Sequence, residues 1–139
     1  MENEMELRFL GISQNESFAR MCAAAFAAQL DPTLEQVADI KTAVSEAVTN
    51  AVVHAYGGET GEVILKCSIK DGVFFAEIRD SGIGIEDIEL AKTPFYTSAD
   101  SPERSGMGFT VMEAFMDNVD VFSEKGRGTR VIMNKRISY

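Results

Sequence analysis

The sequence predicts an α+β fold: a two-layer α/β sandwich with a mainly antiparallel sheet covered on one face by helices. Three observations lead there. Stretches that alternate apolar and polar residues stand at the start, middle and end of the chain, and two helical patterns lie back to back after the first of them. The later strand patterns come in pairs around short glycine-containing turns. Strands joined by such turns pair antiparallel, and helices gathered between them are left to cover one side of the sheet. The order is β-α-α-β-β, a long connection, then α-β-β, and residues 1–139 read as one domain.

Each element has its own signal. "MELRFLGI" alternates loosely and ends near Gly11, which predicts the first strand. "NESFARMCAAAFAAQL" is rich in strong helix formers, with Ser13 or Asn15 as the expected N-cap, and Asp31-Pro32 stops it. Thr33 and Gln36 have the spacing of a capping box, so the second helix starts there and runs to about Tyr56, where Gly57-Gly58 ends it. "GEVILKCSI" and "VFFAEIRD" alternate on either side of "KDG", the Asp-Gly signal of a hairpin. Residues 81–106 hold only one short helical candidate, "EDIELA"; a connection that long is usually a lid or binding loop, placed here at about 86–107. "GFTVMEAFMD" predicts the third helix, and "NVDVFSE" and "GTRVIMNKR" a closing hairpin around "KGRG".

Bulk composition narrows the function classes. The formal net charge of −9 argues against a nucleic-acid or anionic-membrane surface, and it obliges any phosphate-binding site to neutralise charge locally. No apolar run approaches the roughly 20 residues of a membrane span, and "MENEMELRF" lacks the layout of a signal peptide. Cys22 and Cys67 are far apart and form no Cys-x-x-Cys, and His54 is the single histidine, too few ligands for zinc. Two reduced cysteines in a cytoplasmic protein is the plain expectation. Cys22, Met21 and the alanine run around them read as core and helix packing, and His54 as a helix-terminal residue near the last carbonyls.

The chemistry sits in four places. Within "SEAVTNAVVHAYGG", Glu46, Asn50 and His54 fall at i, i+4 and i+8, a polar stripe on a helix otherwise lined by Val44, Ala47, Val48, Ala51 and Val52. An isolated pair of this kind is most simply a solvated face; on so apolar a helix it can also face a lined cavity. There Asn offers a neutral oxygen to a hard cation, and Glu a base whose proton affinity rises on desolvation. Next, "RDSGIGIED" ends a strand in Asp80, a carboxylate able to accept from an exocyclic amine, with Gly82 and Gly84 letting the backbone pass close to a ring. Neither Gly-x-Gly-x-x-Gly nor the phosphate loop Gly-x-x-x-x-Gly-Lys-Ser/Thr is present. Third, "ERSGMGF" places Gly106 and Gly108 at a helix start, where unpaired amides and the helix dipole suit an anion. Fourth, "GRGTR" places Thr129 at the start of the last strand.

Taken in order, these motifs resemble the GHKL (Bergerat) ATP-binding fold shared by gyrase, heat-shock chaperones, histidine kinases and mismatch-repair proteins. "EAVTNAVVH" matches its N box, and "DSGIGI", "RSGMGF" and "GRGT" its three glycine boxes. "NESFAR", "QLDPT" and "ERSGMGFTVMEAFMD" look like the anti-sigma serine kinases of sporulation, and the resemblance covers nearly the whole chain. It implies ATP or ADP with Mg²⁺, the metal on Asn50, and adenine on Asp80 supported by Thr129, with Gly82 and Gly84 beside the base. Ser105, Gly106, Met107, Gly108 and Phe109 would cradle the phosphates, and Glu46 would be the general base for a protein serine. No glycine box holds a lysine, so Arg104 is assigned the charge that phosphoryl transfer needs, the alternative being an exposed lid arginine. The implied partners are a sigma factor, an anti-anti-sigma protein as phosphoacceptor, and a second copy in a homodimer. Arg20, alone among apolar residues of the first helix, is the expected partner anchor. A nucleotide-switched anti-sigma binding module with little kinase turnover is the competing reading, and Glu46 argues against it because a pure switch needs no base.

Overall fold

The structure, a computed structural model, describes residues 1–54, 60–84 and 108–139. Strand β1 (Glu2–Leu10) leads into helix α1 (Ser13–Ala27), a 3₁₀ turn (Ala28–Leu30) and helix α2 (Leu34–His54). Strands β2 (Glu62–Lys70) and β3 (Val73–Asp80) follow, then helix α3 (Gly108–Phe115) and strands β4 (Asn118–Glu124) and β5 (Gly128–Arg136). The sheet runs β1-β2-β3-β5-β4 with every neighbouring pair antiparallel. The helices lie on one face of it, which is the two-layer α+β sandwich expected from the sequence. The expected ends of α2 beyond His54 and the expected lid at 86–107 lie outside the described residues.

The local reasons are legible. The Thr33–Gln36 box closes reciprocally: Gln36 N–H donates to Thr33 Oγ1 at 3.1 Å and Thr33 N–H to Gln36 Oε1 at 2.9 Å. Asp71 (φ 52°) and Gly72 (φ 78°) both take positive φ, the signature of a type I′ hairpin turn. Two expectations need correction. The first strand begins at Glu2, not Met5, and ends at Leu10: β2 offers a partner over that whole span, from Glu2↔Lys70 to Leu10↔Glu62. Neither Ser13 nor Asn15 caps α1; the cap position is Ile12, in extended backbone with no side-chain bond. Asn15 instead donates from Nδ2 to Leu10 O at 2.9 Å, so its carboxamide ties the helix to the end of β1.

Period-two alternation builds the core. Val63, Leu65, Cys67 and Ile69 of β2, Phe74, Ala76 and Ile78 of β3, and Val131 and Met133 of β5 face the helices and are buried. Ile40, Ala43, Val44, Ala47, Val48 and Ala51 of α2 meet them, while α1 brings Ala19, Ala23, Phe26 and Ala27 and α3 brings Phe109 and Met112. Each large side chain so buried contributes about 1.5–3 kcal/mol. Helix α2 is central, packed by α1 on one side and α3 on the other. The opposite face of the sheet mixes charged residues with apolar ones such as Phe75 and Ile132. Arg8, Ile64, Arg79, Arg130 and Phe122 form one cross-strand row on it.

Candidate functional site

Helix α2 presents Glu46 and Asn50 one turn apart, both partly exposed between buried neighbours, and α3 begins against them. A Cβ added at Gly108, the first residue of α3, would lie 3.3 Å from Asn50 Nδ2 and 3.4 Å from both Asn50 Oδ1 and Glu46 Oε2. The helix start therefore stands directly over the two polar side chains, close enough that a larger residue would crowd them. Phe109, next in line, is buried and pins the first turn of α3 to the core. The structure thus brings together Glu46, Asn50, Gly108 and Phe109 from segments far apart in sequence. Ser105, Gly106, Met107 and Arg104 lie outside the described residues.

Asn50 Nδ2 is buried and has no hydrogen-bond partner among the described residues. An orphaned buried amide is costly, of order 1–3 kcal/mol, and the oxygen and nitrogen of a carboxamide are interchangeable in shape. The same end of the group can present oxygen to a hard cation, so the residue fits a Mg²⁺ ligand.

Asp80 closes the other end of the site. It is the last residue of β3 and continues the alternation of Phe74, Ala76 and Ile78, so it lies on the helix side of the sheet, between Val63 of β2 and Thr129 of β5. Burial pushes its carboxyl above the ordinary aspartate value, opposed by backbone hydrogen bonds from Gly82 and Thr129. The Gly82 N–H donates to Oδ1 at 2.9 Å, which holds the carboxylate while leaving acceptor capacity for a ligand amine.

The backbone around Asp80 is tight. Gly84 has φ 77° and an added Cβ would meet Glu124 O at 2.3 Å; Gly128 has φ 101° and its Cβ would meet Asp80 O at 2.1 Å. Both positions need glycine, because they let the first and third glycine motifs pass against each other and against the β4–β5 turn. Gly126 N–H donates to Ile83 O at 2.7 Å across the same contact. Two residues were missed from sequence. Gly128 stands inside "GRGT" without a role of its own, and Ser123 belongs to no motif although its Oγ lies 2.9 Å from both Thr129 Oγ1 and Gly128 O. Counting back across the glycine turn from Gly128 pairs Ser123 with Thr129, which was the available signal.

A cavity of about 550 Å³ at this end of the sheet is lined by residues such as Ile64, Arg79, Phe122 and Arg130 and by none from α2 or α3. Asp80, Ser123, Gly128 and Thr129 also line it, so it adjoins the Asp80 end of the site and not the Glu46–Asn50 end. Arg20 stands on α1 between the exposed Phe18 and Met21, so Met21 is not the core residue the sequence suggests. Its Nη2 donates to Ser17 Oγ at 3.1 Å and its Nη1 lies 4.0 Å from Glu16, whose carboxylate also accepts from Ser45 Oγ of α2.

Comparison with known proteins places this geometry in context. Residues 13–135 match a family model described as the histidine kinase-like ATPase domain. The anti-sigma F factor of Clostridium acetobutylicum is 57% identical over 138 residues, covering 99% of this chain and 96% of that protein. The anti-sigma F factor of Caldanaerobacter subterraneus is 56% identical over 135 residues, covering 97% and 94%. Among solved structures, the RsbU and RsbW domains of a Mycobacterium tuberculosis protein align with TM-score 0.69 at 18% identity, over 97% of this chain and 32% of that one. The mycobacterial sensor histidine kinase MprB aligns with TM-score 0.59 at 15% identity, over 99% of this chain and 100% of that one.

Proposed function

The chain belongs to the histidine kinase-like ATPase domain family and, within it, to the anti-sigma F factors, and from that premise we propose that it holds a sporulation sigma factor inactive and uses Mg-ATP to phosphorylate an anti-anti-sigma protein on serine. The observation that carries the reading is Gly108 standing over both Asn50 and Glu46. A phosphate received at the start of α3 is then within reach of a metal ligand and of a base. Asn50 would hold Mg²⁺, which when bound neutralises charge on the phosphates that a chain of net −9 cannot neutralise in bulk.

The remaining roles complete the proposal. Asp80 accepts from the adenine amine, with Thr129 and Ser123 beside it, and Gly82 and Gly84 leave room for the base. The amides of Gly106, Met107, Gly108 and Phe109, with Ser105 beside them, receive the β- and γ-phosphates. The substrate serine oxygen bonds to the γ-phosphorus as the bond to the ADP oxygen breaks, and Glu46 takes the hydroxyl proton. Arg104 meets the charge that spreads over the transferring group. Arg20, flanked by exposed Phe18 and Met21, is the partner anchor on α1. The protein acts in the cytoplasm as a homodimer.

Incubation with radiolabelled ATP, Mg²⁺ and candidate small partner proteins tests the reading. Label on a partner serine is the expected result, and Glu46→Gln should lower its rate by about 10²–10⁴-fold while nucleotide affinity is kept. Partner binding that depends on nucleotide but yields no transfer would establish the switch instead. Full transfer by Glu46→Gln would remove the base from the mechanism.

A further inference from the structure

Along β5 the helix-facing positions are Val131, Met133 and then Lys135, a lysine where the pattern calls for an apolar residue. Its cross-strand neighbour is the fully buried Phe74. Only 15% of the Lys135 side chain and 17% of the Asp39 side chain remain exposed, and Nζ lies 3.3 Å from Asp39 Oδ2. The same ammonium donates to Phe115 O, the last residue of α3, at 2.8 Å. One cation therefore ties the C-terminus of α3 to α2 and to β5.

We propose that Lys135 is a positioning residue for the phosphate cradle, acting through α3. The last carbonyls of a helix have no partner within it, and a cation placed there satisfies one of them and complements the helix dipole. Helix α3 has eight residues, so it is a rod of about 12 Å. Its first residue is Gly108, against Asn50 and Glu46. Fixing its far end fixes how its first amides are aimed. A neighbouring tether acts in the same sense: Asp117 Oδ2 accepts from Arg136 N–H at 2.6 Å, and Asp117 N–H donates to Asn134 O at 2.8 Å. Adenine recognition does not depend on this rod, because Asp80 and Thr129 belong to β3 and β5.

That separation supplies the test, which rests on the nucleotide reading above. ATP and adenosine affinities are measured by calorimetry for the full chain and for Lys135→Met, Lys135→Arg and Asp39→Asn. Lys135→Met should weaken ATP by roughly threefold to thirtyfold with adenosine unchanged. Lys135→Arg should restore most of the loss, and Asp39→Asn should give a smaller loss of the same kind. A purely structural lysine would lower the melting temperature and leave the ATP-to-adenosine ratio where it was; that result, or an equal loss for both ligands, overturns the proposal. Failure of the unaltered chain to bind ATP overturns the nucleotide reading itself, and the role of Lys135 with it. Should Lys135→Met not fold, the ratio in Asp39→Asn decides.

Discussion

At Asp80, burial and hydrogen bonding pull in opposite directions, and burial is the larger effect. Its folded pKa lies above the unfolded one, so between those two values the folded chain binds more protons than the unfolded chain. The stability tied to this group is present below the unfolded pKa and is lost as pH rises through the folded one. Asp80→Asn removes the charge that is costly to bury and keeps an oxygen for the Gly82 amide. Without nucleotide its melting temperature should equal or exceed that of the parent at pH 7, with the difference vanishing in acid. ATP affinity should fall about tenfold or more, because a hydrogen bond to a charged acceptor contributes about 1.5–3 kcal/mol. A melting temperature lowered at pH 7 but not in acid would mean that the Gly82 and Thr129 bonds outweigh burial. Cys67 is a second residue set by its surroundings: burial, with a lesser effect from Cys22, pushes its thiol up to about 12. A thiol reagent applied to the native protein at pH 8 should modify Cys22, which is partly exposed, and spare Cys67.

At the scale of elements, sequence read most clearly where a local physical rule acts alone. The Thr33–Gln36 box and the Asp71-Gly72 turn depend on nearest neighbours, and both formed as written. The glutamate-rich start of β1 did not announce itself, because a strand gains its hydrogen bonds from a partner 60 residues or so away. The cap of α1 was misread for the same reason: Asn15 is recruited by Leu10 O of β1, a contact no helix rule contains. Two predictions belong here. Thr33→Ala should cost about 0.5–2 kcal/mol in chemical unfolding, with nucleotide affinity per folded molecule unchanged. Gly108→Ala would place a methyl group 3.3–3.4 Å from Asn50 and Glu46, so it should weaken Mg-ATP binding while barely moving the melting temperature. Unchanged stability together with normal Mg-ATP affinity in Gly108→Ala would show that Asn50 and Glu46 yield freely to the methyl group.

Across the whole molecule, the four motifs were legible as an ordered set although each alone was weak. The tertiary contacts that join them were not: the approach of Gly84 and Gly128 to neighbouring backbone, the Ser123 hydroxyl and the Lys135 tether all depend on sheet order and register. Net charge, by contrast, is fully readable, and it makes a global prediction about nucleotide binding. A chain of −9 repels an anionic polyphosphate at long range, and that repulsion reaches about 30 Å at 0.01 M salt but only about 8 Å at 0.15 M. Without Mg²⁺, ATP should therefore bind more tightly as salt rises over that range. With Mg²⁺ the ligand carries less charge, so the dependence should flatten. Titrations at the two ionic strengths, with and without the metal, check both statements. The contrary outcome is equally informative: metal-free affinity that falls as salt rises would mean that a local cation outweighs the field of the whole protein. Arg104 would then be the group to replace, and the salt dependence of Arg104→Ala should revert to the repulsive sign.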